Sequence, residues 1–151
     1  MANKYLKIKL HLVFAAKRHE SYLPDSVLER LYAFIAGVIN NRGNFAIKLG
    51  GTANHVHILF DYNAVEPLPD LVKAIKTTST KFINENNLSP YQFHWQTGYA
   101  CFSVSPYDTD KVVQYIENQL EHHQTHTLRD EVRSMFLRAN IPYDDKFIFE
   151  E

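Results

Sequence analysis

Two short motifs in this chain of 151 residues contain residue types that could do chemistry together. The first is His55-Val56-His57, which opens an apolar run that continues to Phe60. Side chains alternate between the two faces of a strand, so both imidazoles are expected to point the same way. The second is Tyr115 with Gln119, a spacing that places both side chains on one face of a helix. Two imidazoles and an amide oxygen could hold a metal with open positions, and a phenol beside it is a candidate nucleophile.

Each motif also has a purely structural explanation. Histidines on a strand are often packing or surface residues, and a His-x-His pattern occurs by chance in many proteins. Two imidazoles within an apolar run nevertheless need polar partners, because burying unpaired polar groups is costly, and a metal is one such partner. Tyr115 lies on the flank of the apolar stripe of its predicted helix, where it could simply be an amphipathic residue at the edge of the core.

The composition indicates one ordinary globular domain in a reducing compartment. The chain is long enough to bury a real core, and its apolar content is too high for a disordered protein. A single cysteine, Cys101, cannot form an internal disulfide. We find no signal peptide and no apolar run long enough to span a bilayer. The expected location is therefore the cytoplasm, with no membrane partner.

The charge is unevenly distributed along the chain. The net charge of −1 argues against a generic nucleic-acid coat. Residues 1–60 hold eight Lys or Arg against three Asp or Glu, whereas residues 61–151 hold eight against fourteen. This asymmetry allows one basic surface on a weakly acidic protein, and a solubilising mix of surface charges is the plainer alternative.

Periodicity predicts the order β-α-β-β-α-β-α-α. Alternation is clearest in the first strand, where Ile8, Leu10, Leu12 and Phe14 share one face. The predicted fold is α+β, a ferredoxin-like split βαβ antiparallel sheet with helices on one face and extra C-terminal helices. No repeat or linker is visible, so residues 1–151 are interpreted as a single domain, with a C-terminal helix and tail from about residue 125.

Local signals predict where the elements begin and end. Ser26 and Glu29 resemble a capping box that starts the first helix, and Pro67 and Pro69 open the second. Further expectations are strands at 5–14, 45–49, 53–62 and 99–104, a Gly50-Gly51 turn, a third helix from Asp108 or Asp110 with the core stripe Val112, Val113, Ile116 and Leu120, and a final helix from Thr127 to Leu137.

Three motifs taken together resemble one protein family. They are the His-Val-His strand, the segment Trp95-Gln96-Thr97-Gly98-Tyr99 leading to Phe102-Ser103, and Tyr115-Ile116-Glu117-Asn118-Gln119 followed by Glu121-His122-His123. In order and spacing they resemble the single-tyrosine, His-hydrophobe-His transposases of the insertion-sequence 200/605 family, over nearly the whole chain. The combination is much more specific than His-x-His alone.

The resemblance implies roles for the motif residues. It implies that Tyr115 is the nucleophile, that His55, His57 and Gln119 bind Mg²⁺ or Mn²⁺, and that cleavage leaves a 5′-phosphotyrosine. By coordination preference alone, two nitrogen ligands suit Mn²⁺, Zn²⁺ or Ni²⁺ better than Mg²⁺. The resemblance further implies single-stranded DNA with hairpin ends as the substrate, and a homodimer with shared active sites.

Two groups of residues are candidates for holding DNA. The first lies on one face of the second helix, where ammonium and hydroxyl donors could contact phosphates: Lys73, Lys76, Thr77 and Thr80. The second is the basic pair Lys17 and Arg18 after the first strand. An ordinary solvated helix face explains the first group equally well.

Three other functions remain open from the sequence. A domesticated relative that processes repeated palindromic sequences would use the same chemistry, and the DNA flanking the gene would discriminate it. A DNA-binding protein that has lost catalysis is a second alternative, against which the complete set of motif residues argues. A metal hydrolase is the third, and it would release its product instead of trapping it on the protein.

Overall fold

A four-stranded antiparallel sheet forms the centre of the protein. The structure is a computed structural model that describes residues 4–17, 23–144 and 148–149. The strands are β1 (Lys9–Ala15), β2 (Phe45–Thr52), β3 (His55–Asp61) and β4 (Ala100–Val104). Their spatial order is β2-β3-β1-β4, and each neighbouring pair is antiparallel. This arrangement confirms the predicted α+β fold with a split βαβ sheet.

Two long helices cover one face of the sheet. They are α1 (Asp25–Asn41) and α2 (Leu68–Glu85), and α2 begins at the predicted pair of prolines. Their apolar stripes pack on the sheet residues Leu12, Phe14, Val56, Ile58 and Phe60, all of which are buried. The main hydrophobic core therefore lies between the sheet and these two helices.

The C-terminal helices lie over the opposite face. After a short 3₁₀ helix come α3 (Thr109–Glu117), α4 (Gln119–His122) and α5 (Leu128–Arg138). A second, smaller apolar cluster joins Val13, Ala15 and Ala100 of the sheet to Leu128, Val132 and Met135 of α5. Since β3 residues alternate, this second face is also the one that receives His55 and His57.

The hairpin turn between β2 and β3 is three residues later than predicted. Gly50 and Gly51 belong to β2, which pairs with β3 as far as Thr52 opposite His55. The chain reverses at Ala53-Asn54 instead, where the Thr52 hydroxyl donates to Asn54 Oδ1 at 2.9 Å. Because the strands continue to pair past the glycines, these serve close packing and not the reversal.

Two helix predictions also need correction. The capping box is wrong: α1 starts at Asp25, directly after Pro24, so Ser26 already lies within the helix, and no side chain caps it. Leu120 is 50% exposed and not part of the core. Asn118 interrupts the helix between α3 and α4, which changes the phase of the apolar stripe after Ile116.

Among the residues that the structure describes, no helix combines the length and the apolar character that crossing a bilayer would require.

Candidate active site

Strand β3 directs both histidines of the His-Val-His motif into the space beneath the C-terminal helices. His55 is 2% exposed and His57 is fully buried. His57 lies opposite Val13 on β1 and opposite Gly50 on β2. The neighbours opposite His57 are thus small, which leaves room above the sheet for two imidazole rings on the same face.

Hydrogen bonds at Nδ1 orient both imidazole rings. His55 Nδ1 lies 2.8 Å from Asn54 Oδ1 and 2.9 Å from the Thr52 hydroxyl. His57 Nδ1 lies 2.8 Å from Nε2 of His11. In both rings Nε2 is therefore the nitrogen that faces the space under the helices. Partners of this kind fix the orientation of histidines that bind metals.

Burial keeps His55 and His11 neutral. Removal from water, together with the smaller effect of nearby His57, lowers the pKa of His55 to about 3. Burial likewise lowers the pKa of His11 to about 3. Near neutral pH the His55 ring is therefore uncharged, and the neutral ring is the form that binds a metal.

Tyr115 and Gln119 reach the same space from above. Although Asn118 separates α3 from α4, both side chains still point toward the sheet. Gln119 is 1% exposed, and its Oε1 lies 2.9 Å from Nε2 of His55. The Tyr115 ring centroid is 5.7 Å from that of His57. The structure thus brings the four sequence-predicted residues into one cluster.

Gly50 allows α3 to approach the sheet closely enough for this cluster to form. A Cβ atom at Gly50 would lie 2.5 Å from the Ile116 carbonyl oxygen and 2.7 Å from Ile116 Cγ2. Any larger residue would collide with the backbone next to Tyr115. The glycine therefore fixes the height of the tyrosine above the His pair.

The residue at the centre of the cluster is Glu131 on α5, which was not among the sequence-predicted site residues. The residue is 5% exposed, and the hydroxyl of Tyr115 donates a hydrogen bond to its Oε2. Gln119 Nε2 also donates to Oε2, at 2.9 Å. On the other oxygen, Oε1, Nε2 of His57 lies at 3.2 Å and Nε2 of His123 at 3.0 Å. One carboxylate thus joins three elements of the site.

No local spacing links Glu131 to the motifs, because it lies twelve residues after Gln119 on a different helix. A signal was nevertheless present. Glu131 falls on the apolar stripe of its own helix, with Leu128, Val132 and Met135, where a charged residue is unusual. A lone acid on the buried face of a helix indicates a partner in the interior.

The carboxylate and the phenol affect each other. Burial alone would raise the pKa of Glu131, but hydrogen bonds from His123, His57 and Tyr115 outweigh it and hold this pKa well below its usual range. The pKa of Tyr115 is raised, first by burial and then by the negative charge of Glu131. Without a compensating positive charge, the phenol is therefore a poor nucleophile.

The donor set fits a divalent metal ion. His55, His57 and Glu131 each offer one ligand atom, and these atoms all lie within 4.8 Å of one another. Gln119 adds an amide oxygen at hydrogen-bond distance from His55. In addition, Nε2 of His122 is buried without a hydrogen-bond partner. Mixed imidazole and oxygen ligands are typical of transition-metal sites such as Mn²⁺.

A cleft of about 810 Å³ opens beside Tyr115. Its walls include Ser103 on β4 and Ser105 just after this strand, together with the cationic side chains of Lys111 and Arg138. Hydroxyl and cationic groups are the usual contacts of nucleic-acid phosphates. The cleft therefore leaves Tyr115 accessible from outside, beside groups that suit a polyanionic ligand.

The candidate DNA-binding residues of α2 lie on the other side of the sheet. Lys73, Lys76, Thr77 and Thr80 all line a groove of about 570 Å³ together with Trp95. Lys76 Nζ donates to the carbonyls of Gln96 and Gly98, and burial lowers its pKa to about 8. Its ammonium therefore fastens a loop, whereas Lys73 is exposed.

The other predicted basic pair is only partly described. Lys17 is exposed at the end of β1, where its amide donates to the His94 carbonyl at 2.9 Å. Arg18 lies outside the described residues. The neighbouring aromatic Trp95 packs edge-on against Phe14 and donates to the Ser79 hydroxyl at 2.9 Å, so this ring supports the core.

Comparisons with known proteins identify the family to which the chain belongs. Residues 4–119 match the family described as "Transposase IS200 like". The chain is similar to the ISDra2 transposase TnpA of Deinococcus radiodurans, with 25% identity over 118 residues that cover 75% of this chain and 84% of the relative.

Two solved structures share the fold. One is the crystal structure of a protein assigned as a transposase from Deinococcus radiodurans R1, with a TM-score of 0.60 and 26% identity, covering 79% of this chain and 96% of the other. The second is a REP-associated tyrosine transposase bound to a REP hairpin, with a TM-score of 0.59 and 17% identity, covering 82% and 73%. The family match spans more than half of the sequence and includes the His pair, Tyr115 and Gln119, so this chain belongs to the IS200-like transposase family.

Proposed function

We propose that this protein cleaves and rejoins single-stranded DNA at insertion-sequence ends through a covalent bond to Tyr115. The observation that carries the proposal is the convergence of one phenol, two imidazoles and an amide within a single buried cluster beside an open cleft. Membership of a transposase family supports the same chemistry.

The reaction is a transesterification. Oη of Tyr115 attacks the phosphorus of the scissile phosphodiester, the bond from phosphorus to the 3′ oxygen breaks, and that oxygen leaves as a 3′-OH with the proton that the phenol gives up. The 5′ phosphate stays on the tyrosine, and a 3′-OH can later attack it and release the phenol. One ester bond forms as another breaks, so no ATP is needed.

His55, His57 and Gln119 would hold the Mg²⁺ or Mn²⁺ ion near the scissile phosphate. When bound, such an ion neutralises charge on the phosphate and polarises it toward attack. The protein supplies the orientation of both imidazoles through Asn54, Thr52 and His11. Burial on the sheet excludes bulk water from the ligand atoms, and this strengthens the electrostatic effect.

We further propose that the cleft with Lys111 and Arg138 holds the strand that is cut, and that the groove with Lys73, Thr77 and Thr80 contacts other parts of the DNA. The two surfaces lie on opposite faces of the sheet, so a folded hairpin and an unpaired strand could be held at once. Lys17 and Arg18 stay candidates for phosphate contact.

Strandedness provides the first test. We expect the protein with Mn²⁺ to cut one strand of a hairpin-bearing single-stranded oligonucleotide and to form a covalent adduct with it. The same sequence as a full duplex should give no adduct, because one tyrosine per site attacks one strand and an unpaired strand reaches the cleft more easily. Gel analysis of labelled DNA after denaturation measures both products. Equal cleavage of the duplex would contradict the proposal.

The close approach at Gly50 gives a second prediction. Gly50→Ala should lower the free energy of unfolding by roughly 1–3 kcal/mol, as overpacking does. It should lower the cleavage rate by about 10²-fold in samples that remain folded, because a shift of about 1 Å in a reacting group has this effect. Thermal denaturation and single-turnover cleavage measure the two quantities.

Gly37→Ala is the matched control for this prediction. Gly37 lies inside α1, and an added Cβ would meet no atom within 4 Å. Alanine is the better helix former by about 1 kcal/mol, so stability should be unchanged or slightly higher. A Gly50→Ala protein that cleaves DNA at the wild-type rate would show that cleavage does not depend on the close approach of α3 to β2.

A domesticated role in processing repeated palindromic sequences remains the alternative. The fold shared with a REP-associated tyrosine transposase is compatible with it, and the chemistry at Tyr115 would be the same. The DNA around the gene discriminates: hairpins flanking one element support transposition, and scattered repeats support processing. A homodimer is also proposed. The family resemblance implies that its protomers share active sites, whereas Tyr115 and His57 of one chain already lie in one cluster here, with ring centroids 5.7 Å apart. Mixing His57→Ala with Tyr115→Phe protein discriminates the two arrangements.

A further inference from the structure

We propose that Glu131 is an additional, anionic ligand of the metal ion that His55 and His57 hold, and that its second oxygen anchors the nucleophile Tyr115. This inference rests on the proposed metal-assisted cleavage and adds a residue beyond the family match, which ends at residue 119. Glu131 reaches the site from α5, the last described helix.

The distances around Oε1 of Glu131 suit ligands of a single ion. Oε1 lies 3.2 Å from Nε2 of His57 and 3.7 Å from Nε2 of His55. Ligands at about 2.1 Å in adjacent positions of an octahedral ion are about 3.0 Å apart. Gln119 Oε1 lies at a similar distance, 2.9 Å, from the same nitrogen of His55. Two nitrogens and two oxygens therefore surround one space.

The charge of the site points the same way. The carboxylate is almost fully buried, and four histidine nitrogens lie within 3.7 Å of it. A divalent cation bound between these groups would compensate the buried negative charge of Glu131. A hard carboxylate oxygen also suits Mg²⁺ and Mn²⁺, which two imidazoles alone bind less selectively.

The second oxygen explains how metal and nucleophile are kept together. Oε2 accepts hydrogen bonds from the Tyr115 hydroxyl and from Gln119 Nε2. A carboxylate with one oxygen on the ion and the other on the phenol spans the two groups. Glu131 would therefore fix the distance between the polarised phosphate and the attacking oxygen.

A crystal structure of the wild-type, DNA-free protein soaked with Mn²⁺ tests the ligand directly. We expect an anomalous peak bonded to Nε2 of His55 and His57 and within about 2.3 Å of a Glu131 oxygen. A peak on the His pair with both Glu131 oxygens beyond 3 Å would overturn this inference and leave the proposed function intact. Absence of Mn²⁺ from the His pair, with cleavage persisting in chelator, would overturn both.

Mn²⁺ titration of variants gives an independent measurement without DNA. Glu131→Gln keeps the shape of the side chain and removes its charge, and electron paramagnetic resonance of free Mn²⁺ should show binding weakened at least about tenfold. Asp130→Asn is the control, since Asp130 is an exposed neighbour on the same helix. Equal Mn²⁺ affinity in Glu131→Gln and wild type would refute the ligand assignment.

Discussion

Tyr115→Phe is expected to abolish the covalent protein–DNA adduct while the protein stays folded. The change removes only the hydroxyl and keeps the ring, which packs edge-on near His57 and His11. The lost hydrogen bond to a charged carboxylate should reduce the free energy of unfolding by roughly 1–3 kcal/mol. Gln119 still donates to the same oxygen of Glu131, which limits the loss. Binding of Mn²⁺ and of DNA should persist.

Adduct formation with end-labelled single-stranded DNA measures the effect, and peptide mapping of the wild-type adduct should place the nucleotide on Tyr115. Tyr107→Phe is the matched control, because Tyr107 lies just before α3 and is 95% exposed. Tyr107→Phe should form the adduct at the wild-type rate. If the adduct persists in Tyr115→Phe, the nucleophile is another residue, and the interpretation of Gln119 as its neighbour in the site is wrong.

His57→Ala is expected to reduce cleavage by roughly 10³-fold or more while sparing DNA affinity. The metal supplies several kcal/mol of charge stabilisation, and each 1.36 kcal/mol is a factor of ten in rate. DNA affinity should change by less than about threefold, because phosphate contacts elsewhere supply most of it. His55→Ala should behave in the same way, since Nε2 of both rings faces Glu131. Cleavage in Mn²⁺ and filter binding measure the two properties.

His126→Ala serves as the control, because His126 is exposed beyond α4. Full cleavage by both His55→Ala and His57→Ala would remove the metal site from the mechanism.

Mixing His57→Ala protein with Tyr115→Phe protein tests whether active sites are shared between protomers. The chain contains His57 and Tyr115 in one cluster, so we expect no recovery of cleavage. Recovery would show that the tyrosine of one protomer serves the histidines of its partner.

Local periodicity was sufficient for the fold. The alternation of β1 predicted which residues face α1 and α2, and Leu12 and Phe14 are fully buried there. The stripe of α2 was equally clear, with Leu71, Val72 and Ile75 all buried. The ends of the elements were less predictable. Gly50-Gly51 resembles a turn, but both glycines lie within β2, and α3 contacts this strand at Gly50.

Local rules also paired the four motif residues two by two, and the family resemblance implied that the two pairs share one site. The period of two placed His55 and His57 on one face, and the spacing of four placed Tyr115 beside Gln119. Both rules act within a single element, so they can be applied without knowing how elements pack. The chemical roles assigned to these residues stay predictions until the adduct and metal measurements are made.

Only the tertiary structure decided what lies between the motifs. The sequence by itself determined the family, the sheet and the four motif residues, because each depends on spacing along the chain. Glu131 depends instead on how α5 folds back over the sheet, and it brings a charge to Tyr115, Gln119 and His57 from a distant part of the chain. Lys76 shows the reverse, a predicted DNA contact whose ammonium holds the 96–98 loop. Such partners follow from packing in three dimensions, which no local pattern records.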